Sequence, residues 1–143
     1  MTVLSFTGTR RGLTHEQRSA LGRLLVEIDP SIAAHGDCVG ADAEFHDLAA
    51  EMAITIWLFP GDDPRQRAFC AKGLITMQAE PAPPLDRNRV IVDNGEALVA
   101  CPGGRHEEMR SGTWATVRYA RKRGKKLWIV WPDGAVTREN HGE

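Results

Sequence analysis

The sequence has no apolar run that approaches the roughly 20 residues of a membrane-spanning helix. Its first residues also lack the basic segment that opens a secretory signal peptide. Cysteine is scarce, and Cys38, Cys70 and Cys101 are an odd number at irregular spacing, which does not fit a disulfide framework. These absences predict a cytoplasmic protein with reduced thiols and no membrane partner.

The sequence also lacks an excess of charge of either sign. It has 143 residues, with 18 Lys and Arg against 19 Asp and Glu, and a formal net charge of −1. Proteins that bind nucleic acid over a whole surface are usually strongly basic, so binding of single-stranded DNA is disfavoured but stays open. Most of the basic residues are Arg, whose planar guanidinium grips phosphate or carboxylate, although a codon preference for Arg would give the same composition. The positions of the arginines must therefore decide between these explanations.

Short apolar runs alternate with segments of helical periodicity along the chain. Thr14 followed by Gln17 predicts a capping box at the start of the first helix. Strands that alternate with helices favour a parallel sheet covered by helices on both faces. We predict an α/β Rossmann-like three-layer α/β/α fold, with a five-stranded parallel sheet in the order 3-2-1-4-5. The strands are expected at residues 3–7, 32–35, 54–59, 97–101 and 127–131.

Three segments are harder to assign. Residues 65–72 are interpreted as a short helix. Residues 87–94 contain β-branched side chains that favour a strand, but the strand–helix alternation and the stop signal at Gly95 favour a helix, which we predict. We expect a single domain over residues 1–134 and a frayed polar C-terminal tail over residues 135–143.

Glycine-rich turns follow three of the predicted strands. Gly8 follows the first strand, Gly36 and Gly40 follow the second, and Gly103 and Gly104 follow the fourth. Ligands of open α/β sheets bind at this edge, where glycine lets the backbone approach an anion and helix N-termini supply free N–H groups. Tight turns need glycine without a ligand too, so the argument rests on all three turns together. Most of six arginines are expected to surround the same edge: Arg10, Arg11, Arg87, Arg89, Arg105 and Arg110.

Several of these loops resemble a known family. Residues 87–91 (RNRVI) and 111–116 (SGTWAT), followed by Ala120, resemble the RNR-I … SG-x-x-T … A pattern of the DNA-processing protein A (Smf) family. Gly40-Ala41-Asp42 with His46 resembles the G-I-D … A-H segment of that family, and residues 6–10 resemble its V-G-S-R opening.

A second resemblance lies in the loop after the fourth strand. Pro102-Gly103-Gly104 and Gly112-Thr113 resemble the P-G-G-x-G-T-x-x-E signature of the Lonely-guy phosphoribohydrolases. Both families belong to the SLOG superfamily of Rossmann-like nucleotide-binding proteins, and residues 3–134 are most similar to its small stand-alone, YspA-like members. The resemblance implies a small nucleotide-like ligand and a homodimer or higher homo-oligomer. The expected ligand-binding residues are Gly8, Thr9, Arg10, Gly36, Asp37, Cys38, Gly40, Asp42, Arg87, Asn88, Pro102, Gly103, Gly104, Ser111, Gly112, Thr113 and Thr116.

The chain departs from the phosphoribohydrolase signature at its catalytic carboxylate. A Glu follows Gly-Thr by three positions in that family, and here the position is Thr116. A glycosidase needs a carboxylate to activate water or to stabilise an oxocarbenium-like transition state. The resemblance implies Arg87 as the catalytic arginine. Glu107 or Glu108 in the stretched loop could replace the missing acid, although solvated loop carboxylates are commoner.

Other chemistry-bearing residues give weaker signals. His35, Asp37, Cys38 and Cys101 are expected near one edge, but their spacing matches no common zinc pattern, so we expect no metal and no cofactor. Trp114 is expected in the core, with stacking on a base as the alternative.

The sequence therefore predicts a protein that binds a nucleotide or a nucleotide-derived ligand through glycine-rich loops and Arg side chains. The alternatives are nucleotide phosphoribohydrolase activity and single-stranded DNA binding like that of DNA-processing protein A. Whether the protein is an enzyme stays open. If it is one, we expect a hydrolase similar to the nucleoside 5′-monophosphate phosphoribohydrolases but without their usual Glu.

Overall fold

A seven-stranded sheet forms the centre of the computed structural model, which describes residues 2–142. The strand order is β4-β3-β2-β1-β5-β6-β7, and every neighbouring pair is parallel except β6 and β7. The strands are β1 (Val3–Gly8), β2 (Ile32–His35), β3 (Thr55–Leu58), β4 (Leu74–Gln78), β5 (Ala97–Cys101), β6 (Lys126–Val130) and β7 (Val136–Glu139).

Four helices cover the two faces of the sheet. They are α1 (His15–Ile28), α2 (Ala41–Glu51), α3 (Pro84–Asn94) and α4 (Gly112–Lys122). Central β5 shows how the two faces are divided, because Val99 packs in a core cluster with α1 and α2, whereas Leu98 packs with α3 and α4. Trp114 is buried in the second cluster, so the alternative that its ring is free to stack on a base is wrong. The predicted three-layer α/β/α class is confirmed.

The sheet is larger than predicted. The five predicted strands are β1, β2, β3, β5 and β6, and their predicted order is the order observed. The predicted helix over residues 65–72 is wrong, because only a single 3-10 turn forms there, Pro64–Gln66, and edge strand β4 follows it. The expected frayed tail over residues 135–143 contains β7, which forms an antiparallel hairpin with β6. The segment 87–94 is helical, as predicted, within α3.

The predicted capping box at the start of α1 is present, and its Gln17 also anchors the carboxyl edge of the sheet. Thr14 Oγ1 accepts from the Gln17 N–H at 3.0 Å, and Gln17 Oε1 accepts from the Thr14 N–H at 3.1 Å. The amide nitrogen of Gln17 then donates to the carbonyl oxygens of Pro102 (2.8 Å) and Val130 (3.0 Å). The buried side chain of Gln17 therefore fixes the loop after β5 to α1.

Among residues 2–142, no helix has the length and the apolar character that a membrane crossing requires.

Candidate functional site

A cavity of about 410 Å³ opens at the carboxyl edge of the sheet, beside the ends of β1 and β5. The chain leaves β1 toward β2 on one side, while β5 pairs with β1 on the other, so this is the point where the strand order reverses. Open α/β sheets bind ligands at such a point. The cavity is lined by Phe6, Thr7, Gly8, Thr9, Arg10, Arg11, Gly36, Cys38, Asp42, Pro84, Leu85, Arg87, Asn88, Ile91, Gly103, Glu108, Arg110, Ser111, Gly112, Thr113 and Thr116.

The structure brings most of the expected ligand-binding residues together around this cavity. Four of them do not line it: Asp37, Gly40, Pro102 and Gly104. The apolar wall formed by Phe6, Pro84, Leu85 and Ile91 was missed, because nothing in the sequence distinguishes these side chains from ordinary core residues.

Asp37 has a structural position instead. Its side chain is fully buried, and Oδ2 accepts from Arg67 Nε at 3.0 Å. Its Oδ1 accepts from the Cys70 N–H at 2.9 Å. Asp37 therefore ties the segment before β4 to the loop between β2 and α2, and its charge is satisfied away from the cavity.

Gly40 and Pro102 also act through the backbone. Gly40 has φ of +89°, and a Cβ there would collide with the carbonyl of Arg10. The adjacent Ala41 N–H donates to the carbonyl oxygen of Thr9 at 2.9 Å, which holds the β1 loop against the start of α2. The carbonyl of Pro102 accepts from Gln17. These residues position the cavity walls without forming them.

Arg87 is 6% exposed and uses most of its donors inside the protein. Nη1 donates to the carbonyl oxygens of Gly36 (2.7 Å) and Phe59 (3.2 Å). Nε donates to Asn88 Oδ1 at 2.8 Å, and Nη2 lies 3.4 Å from Cys38 Sγ. A guanidinium has five N–H groups, so one Nη2 hydrogen remains for a ligand. Arg87 is mainly a clamp between α3 and the loops after β2 and β3.

Three other arginines are available to a ligand. Arg10, Arg11 and Arg110 are exposed at the cavity and take part in none of the ion pairs formed among residues 2–142. The Arg11 guanidinium lies beside Gly103, since a Cβ on that glycine would come within 2.5 Å of Nη2. These three side chains make the cavity rim cationic, although the chain as a whole has a net charge of −1.

The N-terminus of α4 adds backbone donors to the same cavity. Ser111 Oγ caps the helix by accepting from the Trp114 N–H at 3.3 Å. Within the described part of the chain, the N–H groups of Gly112 and Thr113 have no acceptor, and both residues line the cavity. Free N–H groups at a helix N-terminus favour an anion. Thr116 Oγ1 donates to the Gly112 carbonyl oxygen at 2.9 Å. The position that holds Glu in the phosphoribohydrolase signature is therefore occupied by a hydroxyl that is bonded to the helix backbone.

The carboxylates near the cavity differ in their surroundings. Glu107 lies outside it and pairs with Arg121 (2.9 Å) and Arg118 (3.1 Å). Hydrogen bonds from Arg121 and then Arg118 lower the pKa of Glu107. Glu108 lies on the cavity wall and is exposed. Of the two acids proposed from sequence, only Glu108 therefore reaches the cavity.

Asp42, in the first turn of α2, is the buried carboxylate of the cavity and is 5% exposed. Its Oδ2 accepts from the N–H groups of Gly36 and Cys38, both at 3.1 Å. Burial raises the pKa of Asp42 to about 6, although the nearby Arg87 opposes the shift. Burial likewise raises the pKa of the Cys38 thiol, which disfavours a thiolate nucleophile there.

A buried histidine pair lies behind the site. The ligand atoms of His35, His46 and Cys70 all lie within 4.8 Å of one another. The Asp37 N–H donates to His35 Nδ1 (2.9 Å), so the His35 proton is on Nε2 and is donated to His46 Nδ1 (2.8 Å). His46 Nε2 in turn donates to the Lys72 carbonyl oxygen at 2.8 Å. A metal on His35 Nε2 would place a proton on Nδ1, facing the Asp37 N–H, so these residues do not fit a metal.

Comparison with known proteins shows the fold. No protein-family model matches the sequence, and no curated protein matches it significantly. The structure resembles that of the protein TM1055, with 18% identity, a TM-score of 0.64, and coverage of 89% of this chain and 72% of that one. It also resembles the molybdenum cofactor binding protein of the phototrophic bacterium Rippkaea orientalis, with 16% identity, a TM-score of 0.67, and coverage of 91% and 76%.

DNA processing protein A from Helicobacter pylori, whose structure was described for its binding of single-stranded DNA, is a third similar protein. It shares 16% identity with this chain at a TM-score of 0.59, over 90% of this chain and 64% of the other. These similarities confirm the predicted Rossmann-like α/β fold. Identities this low show the fold alone.

Proposed function

We propose that this protein binds a nucleotide or a nucleotide-derived ligand in the cavity between β1 and β5, with the phosphate held by arginines and helix N–H groups. The observation that carries the proposal is that Arg10, Arg11 and Arg110 have no carboxylate partner among residues 2–142. The N–H groups of Gly112 and Thr113 have no acceptor within the described residues, and both residues line the same cavity. Cationic side chains and a helix N-terminus together stabilise a phosphate.

The apolar part of the cavity lining supports a ligand that is more than an inorganic anion. Pro84, Leu85 and Ile91 of α3 present apolar surface to the cavity, together with Phe6. Ligand sites of roughly 300–1,000 Å³ combine apolar walls with a few oriented polar groups, and the cavity volume of about 410 Å³ lies within this range. A nucleotide has the matching composition, since it joins a phosphate to a sugar and a flat base.

Two similar structures belong to proteins described as binding a molybdenum cofactor and single-stranded DNA, respectively. The shared fold does not choose between such ligands, so the choice rests on the site. A groove that follows a DNA backbone needs many Lys and Arg side chains, whereas this chain has a net charge of −1. A small ligand is therefore favoured over single-stranded DNA.

Self-association is a second part of the proposal. Leu85 and Val90 are exposed apolar residues of α3, and Leu85 also lines the cavity. Exposed apolar side chains favour contact with another protein surface. We propose a homodimer in which α3 takes part, which light scattering of the purified protein tests. A monomer at all concentrations would contradict it.

Thermal unfolding in the presence of ligands tests the binding proposal. A ligand that binds only the folded state raises the free energy of unfolding by RT ln(1 + [L]/Kd). We expect AMP, ADP-ribose or NAD at millimolar concentration to raise Tm, and adenosine to raise it much less. If no phosphate-bearing compound in such a panel shifts Tm, the proposal is wrong.

A further inference from the structure

The cavity contains a carboxylate oxygen that has no protein partner. Asp42 is 95% buried, and both hydrogen bonds to its carboxylate end on Oδ2. Within residues 2–142, no protein group donates to Oδ1. In the described part of the chain, Trp128 Nε1 is the fully enclosed polar side-chain atom that has no hydrogen-bond partner. Asp42 Oδ1 also has no partner but is not fully enclosed, and Asp42 lines the cavity, so Oδ1 is accessible from the cavity.

A carboxylate is an unexpected group in an anion site. Its charge repels a phosphate, and a ligand that covers Asp42 Oδ1 without supplying a donor costs free energy. Holding the Gly36 and Cys38 N–H groups requires only one oxygen, which a neutral Asn could also supply. Oδ1 of Asp42 would form a hydrogen bond if the bound ligand supplied a donor.

We propose that Asp42 Oδ1 accepts a hydrogen bond from a ribose hydroxyl of the ligand, so that the site discriminates against nucleotides that lack both ribose hydroxyls. This inference rests on the proposed function, which supplies the phosphate contact. Carboxylates are common acceptors for ribose hydroxyls in nucleotide sites of α/β proteins. Asp42 and the free N–H groups of α4 line one cavity, as a ligand that joins a phosphate to a sugar requires.

The charges around Asp42 fit this role. Arg87 approaches from α3, the Gly36 and Cys38 N–H groups come from the β2–α2 loop, and buried Asp37 adds a negative charge from the same loop. The pKa of Asp42, raised to about 6, leaves it ionised and accepting near neutral pH. In more acidic solution it gains a proton, and the discrimination between hydroxyl-bearing and deoxy ligands should weaken.

The test measures affinity by isothermal titration calorimetry at about pH 7.5, well above the usual pKa of a carboxylate. The probes are AMP, 2′-deoxy-AMP and 2′,3′-dideoxy-AMP. The variants are Asp42→Asn, which keeps one oxygen for the two backbone N–H groups, and Glu51→Gln. Glu51 is the exposed last residue of α2 and lies outside the cavity, so its variant is a matched control for loss of a carboxylate on the same helix.

For the wild type and Glu51→Gln, we expect AMP to bind at least about tenfold more tightly than dideoxy-AMP. The reason is that bound dideoxy-AMP would cover Asp42 Oδ1 without supplying a hydroxyl donor. In Asp42→Asn the two affinities should agree within about twofold. An unchanged melting curve verifies that this variant is folded; if it is not, the wild-type ratio and its decline in more acidic solution remain the test.

Three outcomes overturn the inference. Equal wild-type affinity for AMP and dideoxy-AMP would show that the site makes no contact with a ribose hydroxyl, while the proposal of phosphate binding would stand. A wild-type ratio that persists in folded Asp42→Asn would assign the contact to another residue. If none of the three nucleotides binds, the proposed function itself fails and this inference fails with it.

Discussion

Arg87 Nη1 donates a hydrogen bond to the carbonyl oxygen of Gly36 at 2.7 Å. A Cβ at Gly36 would collide with this guanidinium, so the glycine is required for the close approach of Arg87. The same nitrogen also reaches the Phe59 carbonyl oxygen. One side chain of α3 therefore fixes the two loops that follow β2 and β3.

The Arg87 clamp predicts a loss of stability. Arg87→Lys should lower the free energy of unfolding by about 2–4 kcal/mol, because one ammonium cannot replace several charge-assisted hydrogen bonds in a buried site. Urea denaturation followed by circular dichroism measures the loss. Arg89→Lys, at an exposed position of the same helix, should change the free energy by less than about 0.5 kcal/mol. Equal stability of the two variants would show that Arg87 is no clamp.

Gly40 predicts a second loss, and Gly22 serves as its control. Gly40→Ala should destabilise the fold by about 1–3 kcal/mol, because φ is positive there and the new methyl group meets the Arg10 carbonyl. Gly22, within α1, has open space where a Cβ would lie, and Gly22→Ala should stabilise the fold by about 0.5–1 kcal/mol. Thermal denaturation of both variants checks the opposite signs. Two changes of the same sign would be inconsistent with this backbone geometry.

Two buried titrating groups should oppose each other in acid. Burial lowers the pKa of His35 from 6.5 to about 3, so the unfolded chain binds more protons here and stability falls as pH drops below 6.5. The pKa of Asp42 rises from 3.8 to about 6, so its stabilising contribution is present below 3.8 and is lost as pH rises through 6. Between about pH 4 and 6 the two slopes have opposite signs and similar size.

Asp42→Asn should reveal the pH dependence of stability that His35 causes. Relative to the wild type, its free energy of unfolding should fall by about 1.4 kcal/mol more for each pH unit between about pH 6 and 4. Chemical denaturation at a series of pH values measures the difference. Parallel profiles for the variant and the wild type would show that Asp42 titrates as an ordinary exposed carboxylate.

The site also predicts slow chemistry. Thr116 occupies the position of the phosphoribohydrolase Glu, and Glu107 is bound to Arg118 and Arg121, so neither supplies a carboxylate to the cavity. The carboxylates that line it are Glu108, which is exposed, and Asp42, whose Oδ2 is held by two backbone N–H groups. A positioned acid or base contributes about 10²–10⁴ in rate, so we expect AMP, CMP, GMP and UMP to be hydrolysed slowly or not at all. Chromatography of the released base measures this. Rapid release that disappears in Glu108→Gln would show that the loop supplies the missing acid.

The central strands were predictable from sequence, and the two edge strands were not. β5 is an uninterrupted apolar segment because it is buried on both faces. In β4, by contrast, exposed and half-buried positions alternate, and β7 is mostly polar. Val136 in β7 can be assigned to a strand only if β6 is already known to be its partner.

For the candidate site, sequence located the loops but not the direction of each side chain. Asp37, in the loop after β2, and Asp42, in the first turn of α2, are close in sequence, yet Asp37 pairs with Arg67 away from the cavity and Asp42 lines the cavity. The choice depends on the left-handed backbone of Asp37, with φ of 55°, and on a partner 30 residues away. Long-range contacts of this kind, like those of Arg87, leave no local pattern in the sequence.

Calorimetric titration of AMP and adenosine tests the binding proposal most directly, using the wild type, the double variant Arg10→Ala/Arg11→Ala, and Arg23→Ala as an exposed control on α1. We predict that the wild type and the control bind AMP alike and bind adenosine much more weakly. The double variant should lose at least about tenfold in AMP affinity, since each lost charge-assisted contact costs more than about 1 kcal/mol. Equal binding of AMP and adenosine by the wild type, or undiminished AMP binding by the double variant, would contradict a phosphate site built by these arginines.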